Sequence, residues 1–190
     1  MVQTSRPDAD DGADGNWTDQ GGGTSLYAAI DDPVGSPDDA TTYIKVTDTS
    51  SSEVCIVQLA SISAPESGNV TIKWRATTSD NMTAGAPQLK IELLADGSTT
   101  AKDGTGNQAI NDAGTWTSYS YPSSGSLDVS GVSDWSTLKF RITMIAGSGG
   151  GMGANDIMKV TQAYLETPDA AAGSSIAPIA MNHYRRRRGN

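Results

Sequence analysis

Apolar and polar residues alternate along several segments of this chain, with the period of two that is typical of a β-strand burying one face. In residues 69–78, for example, Ile72 and Trp74 alternate with Lys73 and Arg75. Turn-forming Gly, Pro, Asp and Ser residues separate such segments, as expected between strands. The pattern predicts eight strands, at residues 25–30, 41–48, 53–60, 69–78, 88–95, 115–121, 137–146 and 156–166.

Eight strands with no convincing helix between them predict an all-β protein, a jelly-roll-like antiparallel β-sandwich of about eight strands with extended N- and C-terminal arms. Residues 1–23 form an acidic, glycine-rich lead-in, and residues 24–168 form the sandwich domain. Residues 169–190 form an extended C-terminal docking arm with an arginine tip. The polar stretch at residues 95–114 is expected to be a long surface loop or a weak hairpin.

Charge is distributed unevenly along the chain. The net charge is −9, but the four arginines at 185–188 are concentrated at one end, so residues 1–184 carry a net charge of −13. Such a body repels anionic membranes and argues against nucleic acid as a partner. The polar N-terminal region has no secretory signal and no apolar run is long enough for a membrane helix, so we expect a soluble protein. The single cysteine, Cys55, fits synthesis in a reducing cytoplasm.

An ordered set of short motifs spans residues 6–168. They are Arg6-Pro7-Asp8, Trp17-Thr18, and residues 26–32, 38–39, 43–44, 70–76, 134–141 and 160–168. Taken in this order, they resemble a β-sandwich (jelly-roll) structural or decoration module of tailed-bacteriophage virions. The resemblance implies a component of phage heads, tails or fibres without known catalysis. It does not specify a position on the virion, and the arm lies outside it.

Catalytic groups are scarce. The only histidine, His183, lies in the arm, so neither Cys55 nor any serine has a histidine base within the predicted sandwich. A glycosidase needs only two suitably spaced carboxylates, but most of the acids here fall in turns and in the lead-in. We therefore expect no catalytic residues, no cofactor and no enzymatic activity.

The acidic lead-in suggests calcium as a ligand, because Asp10 and Asp14 belong to a run of carboxylates broken by glycine. The spacing does not match an EF-hand loop, since Gly12 stands where a ligand would be needed and no glutamate closes the loop. A solvated acidic turn is therefore favoured over a metal site, with Asp10 and Asp14 as weak calcium candidates.

Exposed aromatic rings would favour sugar binding, because flat rings stack on pyranose rings. The candidates for such a glycan platform are Trp116, Tyr119, Tyr121 and Trp135. Alternation in residues 115–121 places Tyr119 and Tyr121 on one face and Trp116 on the other. The alternative is that the core needs these rings, since the chain has a single phenylalanine.

The C-terminal arm combines a short apolar stretch with four cations. In one interpretation its apolar side chains enter grooves of a neighbouring subunit, and its guanidinium groups pair with carboxylates there. The docking residues would be Ile176, Ile179, Met181, Tyr184, Arg185, Arg186, Arg187 and Arg188. The alternatives are that the arginines bind the phosphates of a nucleic acid, or that the arm is a solubilising tail.

Together these features predict a non-enzymatic capsid decoration (cement) protein that docks onto neighbouring capsid subunits. The expected partners are the major capsid protein or other virion subunits. The protein is expected to be made in the host cytoplasm and to be located on the capsid or tail surface of the virion. A homo-oligomer, with a trimer suggested by analogy, is the natural arrangement. The alternative is a tail-fibre or head-fibre glycan-binding module for host adsorption. A bacterial surface scaffold is disfavoured by the missing signal.

Overall fold

The computed structural model shows two antiparallel β-sheets packed as a sandwich. It describes residues 2–12, 14–47, 52–65, 68–79, 87–110, 112–145 and 157–170. Sheet A contains, in order across the sheet, β10 (Thr117–Tyr121), β6 (Thr71–Thr78), β12 (Ile157–Pro168), β4 (Ile44–Thr47) and β3 (Thr18–Asp19), with β1 (Val2–Ser5) also beside β12. Sheet B contains β2 (Pro7–Asp10), β5 (Glu53–Leu59), β11 (Lys139–Ile145), β7 (Gln88–Leu94) and β8 (Asp103–Gly104), with β9 (Gln108–Ala109) also beside β7.

The core lies between the two sheets and contains the apolar half of each alternating segment. Ile72 and Trp74 of sheet A and Val57 and Phe140 of sheet B are each at most 2% exposed and belong to one cluster. Full burial of a side chain of this size contributes about 1.5–3 kcal/mol. The alternation in the sequence therefore reflects a sandwich with one buried face per sheet.

The strand order is that of a jelly roll. The chain crosses from one sheet to the other between β4, β5, β6 and β7, and it crosses again between β10, β11 and β12. The paired strands are β4 with β12, β5 with β11, β6 with β10, and β7 with β8, as in a long hairpin rolled up on itself. The predicted fold class is confirmed.

Seven of the eight predicted strands are present, and one prediction is wrong. Residues 25–30 contain a 3-10 turn at Tyr27–Ala29 instead of a strand. Leu26 and Ile30 are both fully buried and stand four residues apart, which is a helical spacing. The two side chains reach the core from one side of a tight turn, so the short apolar run resembled a strand in the sequence.

The N-terminal residues differ from the predicted lead-in, because they add strands to both sheets. β1 pairs with the end of β12, and β2 pairs with β5. In residues 95–114, β8 and β9 both lie antiparallel to β7, which matches the weak-hairpin alternative. Within the described ranges, no helix has the length and apolar character needed to cross a bilayer.

Candidate functional site

The face of sheet A that points away from the core carries long polar and basic side chains. A β-bulge between Val160 and Gln162 shifts the register of β12 by one residue. As a result, odd-numbered residues of β12 point outward before the bulge and even-numbered residues point outward after it. The outward side chains are Lys45 on β4, Lys73 and Arg75 on β6, and Lys159, Gln162, Tyr164 and Glu166 on β12. This face therefore carries polar and charged groups on the central strands of the sheet.

Two aromatic rings meet over this face. Tyr43 immediately precedes β4 and Trp116 stands just before β10, and their ring centroids are 5.9 Å apart at an interplanar angle of 50°. β4 and β10 are separated by two strands, or about 14 Å at the usual strand spacing, so the rings lie over the sheet between them. The Nζ atom of Lys159 lies 5.1 Å from the centroid of the Tyr43 ring. We call Tyr43 and Trp116 the aromatic pair; both are half-buried.

A cleft of about 350 Å³ opens beside Tyr43, and we call it the Tyr43 cleft. Much of its lining is apolar, with Ala28 and Ala29 contributing. Its other polar lining residues are Asp19, Gln20, Ser25, Thr41 and Thr42. Its volume is at the lower end of the range for small-molecule sites. An aromatic wall surrounded by hydroxyl, amide and carboxylate groups can bind a compact ligand that carries many hydroxyl groups.

The loop at residues 31–42 leads into Tyr43 and is fixed to sheet A by charged and polar contacts. Arg75 holds Asp39 through two hydrogen bonds, with Nε donating to Oδ1 at 2.6 Å and a terminal nitrogen donating to Oδ2 at 2.7 Å. The buried amide of Gln162 donates to two carbonyl oxygens of the loop, at 3.0 and 2.9 Å. These contacts set the position of Tyr43 relative to the sheet.

A buried carboxylate organises the interior of the same loop. Asp32 accepts hydrogen bonds from the backbone N–H of Asp38 at 2.9 Å and from the hydroxyl groups of Thr42 and Thr161 at 3.4 and 3.3 Å. Burial raises the pKa of Asp32, because the charged form loses hydration. The loop is therefore a structured part of the site and not only a connection.

A second depression, of about 240 Å³, lies on the same face around Tyr164. Lys73 lines it and forms an ion pair with Glu166 at 2.7 Å. Burial raises the pKa of Tyr164, an effect that Lys73 reduces and Glu166 increases. Because Tyr164 is only 8% exposed, it offers little ring surface for stacking. The aromatic pair is the better stacking surface.

Two of the predicted platform residues face the core, which corrects the predicted platform. Tyr119 stacks on Trp74 with centroids 5.3 Å apart and an interplanar angle of 11°, and its hydroxyl donates to Asp112 at 2.6 Å. Burial raises the pKa of Tyr119. Tyr121 has the same orientation on β10 and also packs against the core cluster. Strand alternation turns both rings inward, because their partners on β6 are core residues.

The other two predicted platform residues have different positions. Trp135 is 9% exposed and belongs to the core cluster, so it is not available for stacking. Trp116 lies on the outward face, with Tyr43 as its neighbour. Tyr43 was not predicted as a platform residue. It is two residues before the outward-facing Lys45 and next to the buried Ile44, so strand alternation points it outward. This alternation was the sequence signal that could have identified Tyr43 as an outward-facing ring.

The weak calcium candidates lie apart from this face. The Asp10 carboxylate accepts a hydrogen bond from the backbone N–H of Tyr27 at 2.8 Å, and burial raises the pKa of Asp10, with Asp14 adding a smaller electrostatic contribution. Among the described residues, no group of three or more His, Cys, Asp or Glu side chains is arranged to hold a metal ion. Asp10 thus acts as a cap for the turn at Tyr27.

The predicted docking residues Ile176, Ile179, Met181, Tyr184, Arg185, Arg186, Arg187 and Arg188 lie outside the described residues. The description of the chain stops at residue 170, just after β12. The docking arm therefore stays a prediction from the sequence.

No family model matches this chain, and no curated protein matches it. Among solved structures, one described as "CBM4 structure and function" is 13% identical, with 80% of this chain and 94% of that chain covered and a TM-score of 0.39. One on carbohydrate-binding modules of the β-sandwich superfamily is 11% identical, covering 85% and 55% of the two chains, with a TM-score of 0.41. A cyclase from Fischerella sp. TAU is 11% identical, covering 87% and 90%, with a TM-score of 0.37. At these scores the likeness bears on neither function nor site.

Proposed function

We propose that this protein is a non-catalytic carbohydrate-binding module that holds its ligand on the outward face of sheet A. The observation that carries the proposal is the aromatic pair, two half-buried rings in contact over the sheet beside the Tyr43 cleft. Tyr43 belongs to both features, so one ligand can contact the rings and the cleft together.

The chemistry of the face suits a sugar. The C–H groups of a pyranose ring form an apolar face that can stack on Tyr43 and Trp116, and large aromatic side chains contribute strongly to such contacts. Sugar hydroxyl groups need hydrogen-bond donors and acceptors nearby, and Gln20, Thr41 and Thr42 line the adjacent cleft. The loop contacts described above pre-order Tyr43, which lowers the entropic cost of binding.

The absence of catalysis is part of the proposal. Cys55 is fully buried, and burial raises the pKa of its thiol well above the ordinary value, which disfavours the reactive thiolate. In the loop before Tyr43, the Asp39 carboxylate is held by Arg75 and the Asp32 carboxylate accepts hydrogen bonds from the loop itself and from Thr161. Binding without turnover is the chemistry that these residues support.

Affinity electrophoresis on gels containing soluble polysaccharides tests the proposal. Tyr43→Ala and Trp116→Ala should each abolish the retardation that the wild-type protein shows, because each removes half of the stacking surface. Tyr119→Phe is the control, since it alters an inward-facing ring of β10, the strand that follows Trp116. Thermal unfolding should confirm that all three variants are folded. Wild-type mobility unchanged by every polysaccharide, or retardation that survives both alanine variants, would refute the proposal.

We also propose, as a second function, attachment to a phage virion through residues 169–190, with the capsid or other virion subunits as partners. The support is the composition of the arm, where four large apolar side chains precede four arginines on a body of net charge −13. The arm follows β12, and Lys159 and Pro168 lie near opposite ends of that strand, about 30 Å apart. An anchored arm would therefore leave the aromatic pair accessible.

Deleting residues 171–190 tests attachment separately from sugar binding. The truncated protein should keep its fold, because β1 to β12 all precede the deletion. It should keep polysaccharide binding and lose co-sedimentation with particles that lack this protein. Replacing the four arginines at 185–188 with glutamine is a gentler variant that should weaken attachment. Normal attachment of the truncated protein would contradict the docking arm.

A further inference from the structure

Lys45 and Lys159 are cross-strand partners on the outward face of sheet A. Side chains directly opposite each other on neighbouring antiparallel strands have Cβ atoms about 5 Å apart, and like charges in this position are destabilising. The ammonium group of Lys159 lies over the Tyr43 ring, and that of Lys45 donates to the carbonyl oxygen of Gln20. Gln20 and Tyr43 line the same cleft, so both lysines reach the surroundings of Tyr43.

The remaining basic side chains of the described chain show how unusual this is. Six of these seven form ion pairs with carboxylates: Lys73, Arg75, Lys90, Lys102, Lys139 and Arg141. The seventh, Arg6, donates to the backbone carbonyl oxygen of Asp31. In the described part of the chain, Lys45 instead donates to the carbonyl oxygen of Gln20 at 2.9 Å, and Lys159 lies over the Tyr43 ring. Within the residues that the structure describes, Lys45 and Lys159 are thus cross-strand partners for which no ion pair with a carboxylate is seen.

We infer that Lys45 and Lys159 form a subsite for the carboxylate of an acidic sugar whose ring stacks on Tyr43 and Trp116. This inference rests on the proposed function, since it specifies the class of glycan that the same face binds. One carboxylate placed between the two ammonium groups relieves their repulsion and forms charge-assisted hydrogen bonds with both. The cost of the like-charge pair in the free protein is then recovered on binding.

An acidic sugar fits the surroundings better than a nucleic acid. A nucleic acid presents many phosphates in sequence, and the body of net charge −13 repels such a chain beyond the two lysines. A single carboxylate per sugar needs only a local cationic site. The Tyr43 cleft is adjacent, and its hydroxyl and amide groups suit the hydroxyl groups of the rest of the sugar.

The probes are polygalacturonate, hyaluronan and polysialic acid, each compared with its carboxyl-reduced form, in which a neutral hydroxymethyl group replaces the carboxylate. We expect at least one acidic polymer to bind about tenfold or more tightly than its reduced form. Lys45→Met and Lys159→Met should each reduce that preference by about three- to tenfold, as expected for a charged hydrogen bond at a partly exposed site. The matched control is Lys73→Met, because Lys73 is on the same face but is paired with Glu166. This variant should leave the preference for the acidic polymer unchanged.

The outcomes separate this inference from the proposed function. Equal binding of acidic and reduced polymers, lost in Trp116→Ala, would overturn the carboxylate subsite and leave the sugar-binding face intact. An equal effect of Lys73→Met would also overturn it, because it would indicate a diffuse charge effect. Tighter binding to single-stranded DNA than to every acidic polymer would overturn it too. Failure to bind any of the three acidic polymers would overturn the carboxylate subsite, and the sugar-binding face would fall with it only if no neutral polysaccharide retards the protein in the affinity gels.

Discussion

The guanidinium group of Arg75 and the carboxylate of Asp39 form a two-point contact that joins the centre of sheet A to the loop carrying Tyr43. Arg75 also donates to the hydroxyl of Ser118 on β10 at 3.0 Å. One side chain on β6 thus connects a neighbouring strand with the loop at residues 31–42. The contact holds the loop to the sheet four residues before Tyr43, although neither residue belongs to the aromatic pair.

Breaking this contact should affect both stability and binding. In a double-mutant cycle with Arg75→Met and Asp39→Asn, we expect a coupling energy of about 1 kcal/mol, near the upper end for a partly exposed pair because the geometry is bidentate. Polysaccharide affinity should fall severalfold in each single variant, since Tyr43 loses its fixed position. Urea unfolding and affinity electrophoresis measure the two effects. Single-variant losses that simply add, with unchanged affinity, would show that the loop does not position Tyr43.

The core position of Trp135 predicts a large loss of stability on truncation. Trp135→Ala should lower the free energy of unfolding by about 3–5 kcal/mol, because it leaves a cavity beside the core cluster. Trp116→Ala should cost less, since its side chain is only half-buried. Urea unfolding of the two variants makes the comparison. A stable Trp135→Ala protein that loses sugar binding would restore Trp135 as a platform residue.

The turn after β7 predicts a pH-dependent contribution to stability. The backbone N–H of Asp134, the ammonium group of Lys102 and the N–H and hydroxyl of Ser133 all stabilise the Asp96 carboxylate and lower its pKa from 3.8 to about 2. A lowered pKa stabilises the fold fully above the unfolded value of 3.8, and this contribution disappears as the pH falls towards about 2.

Asp96→Asn measures this contribution directly. The variant should unfold at a lower temperature than the wild type at pH 7, and the gap should narrow between about pH 4 and pH 2. Thermal unfolding followed by circular dichroism over this range gives the comparison. A gap of constant size down to pH 2 would mean that the lost stability comes from packing and not from the charge.

Alternation in the sequence was sufficient to predict the central strands. Leu89, Ile91 and Leu93 on β7 are all buried as their period of two requires, and this one-sided pattern identified both the strand and its inward face. The pattern failed at the N-terminus, where Ser5 is fully buried in β1 without being apolar. Hydrophobicity alone does not mark a strand whose inward positions are small or polar.

The candidate site could be predicted only in part. Trp116 could be predicted as a platform residue from its aromatic side chain and its position in the alternating pattern. Its partner Tyr43 comes from a segment more than 70 residues earlier in the chain. The strand order β10-β6-β12-β4 brings them together, and no local pattern contains that order. The cross-strand pairing of Lys45 with Lys159 likewise depends on register. Residue types can be judged from the sequence, whereas their neighbours across the sheet require the topology.

The most direct test of the sugar-binding face is an NMR titration that follows the indole N–H signals of the four tryptophans. Trp17 and Trp74 are at most 2% exposed and Trp135 is 9% exposed, whereas Trp116 is half-buried on the outward face of sheet A. Adding a bound polysaccharide fragment should shift the Trp116 signal, assigned through Trp116→Phe, together with backbone signals of β4 and the start of β12. Shifts confined to sheet B, with the Trp116 signal unmoved at saturation, would contradict the account.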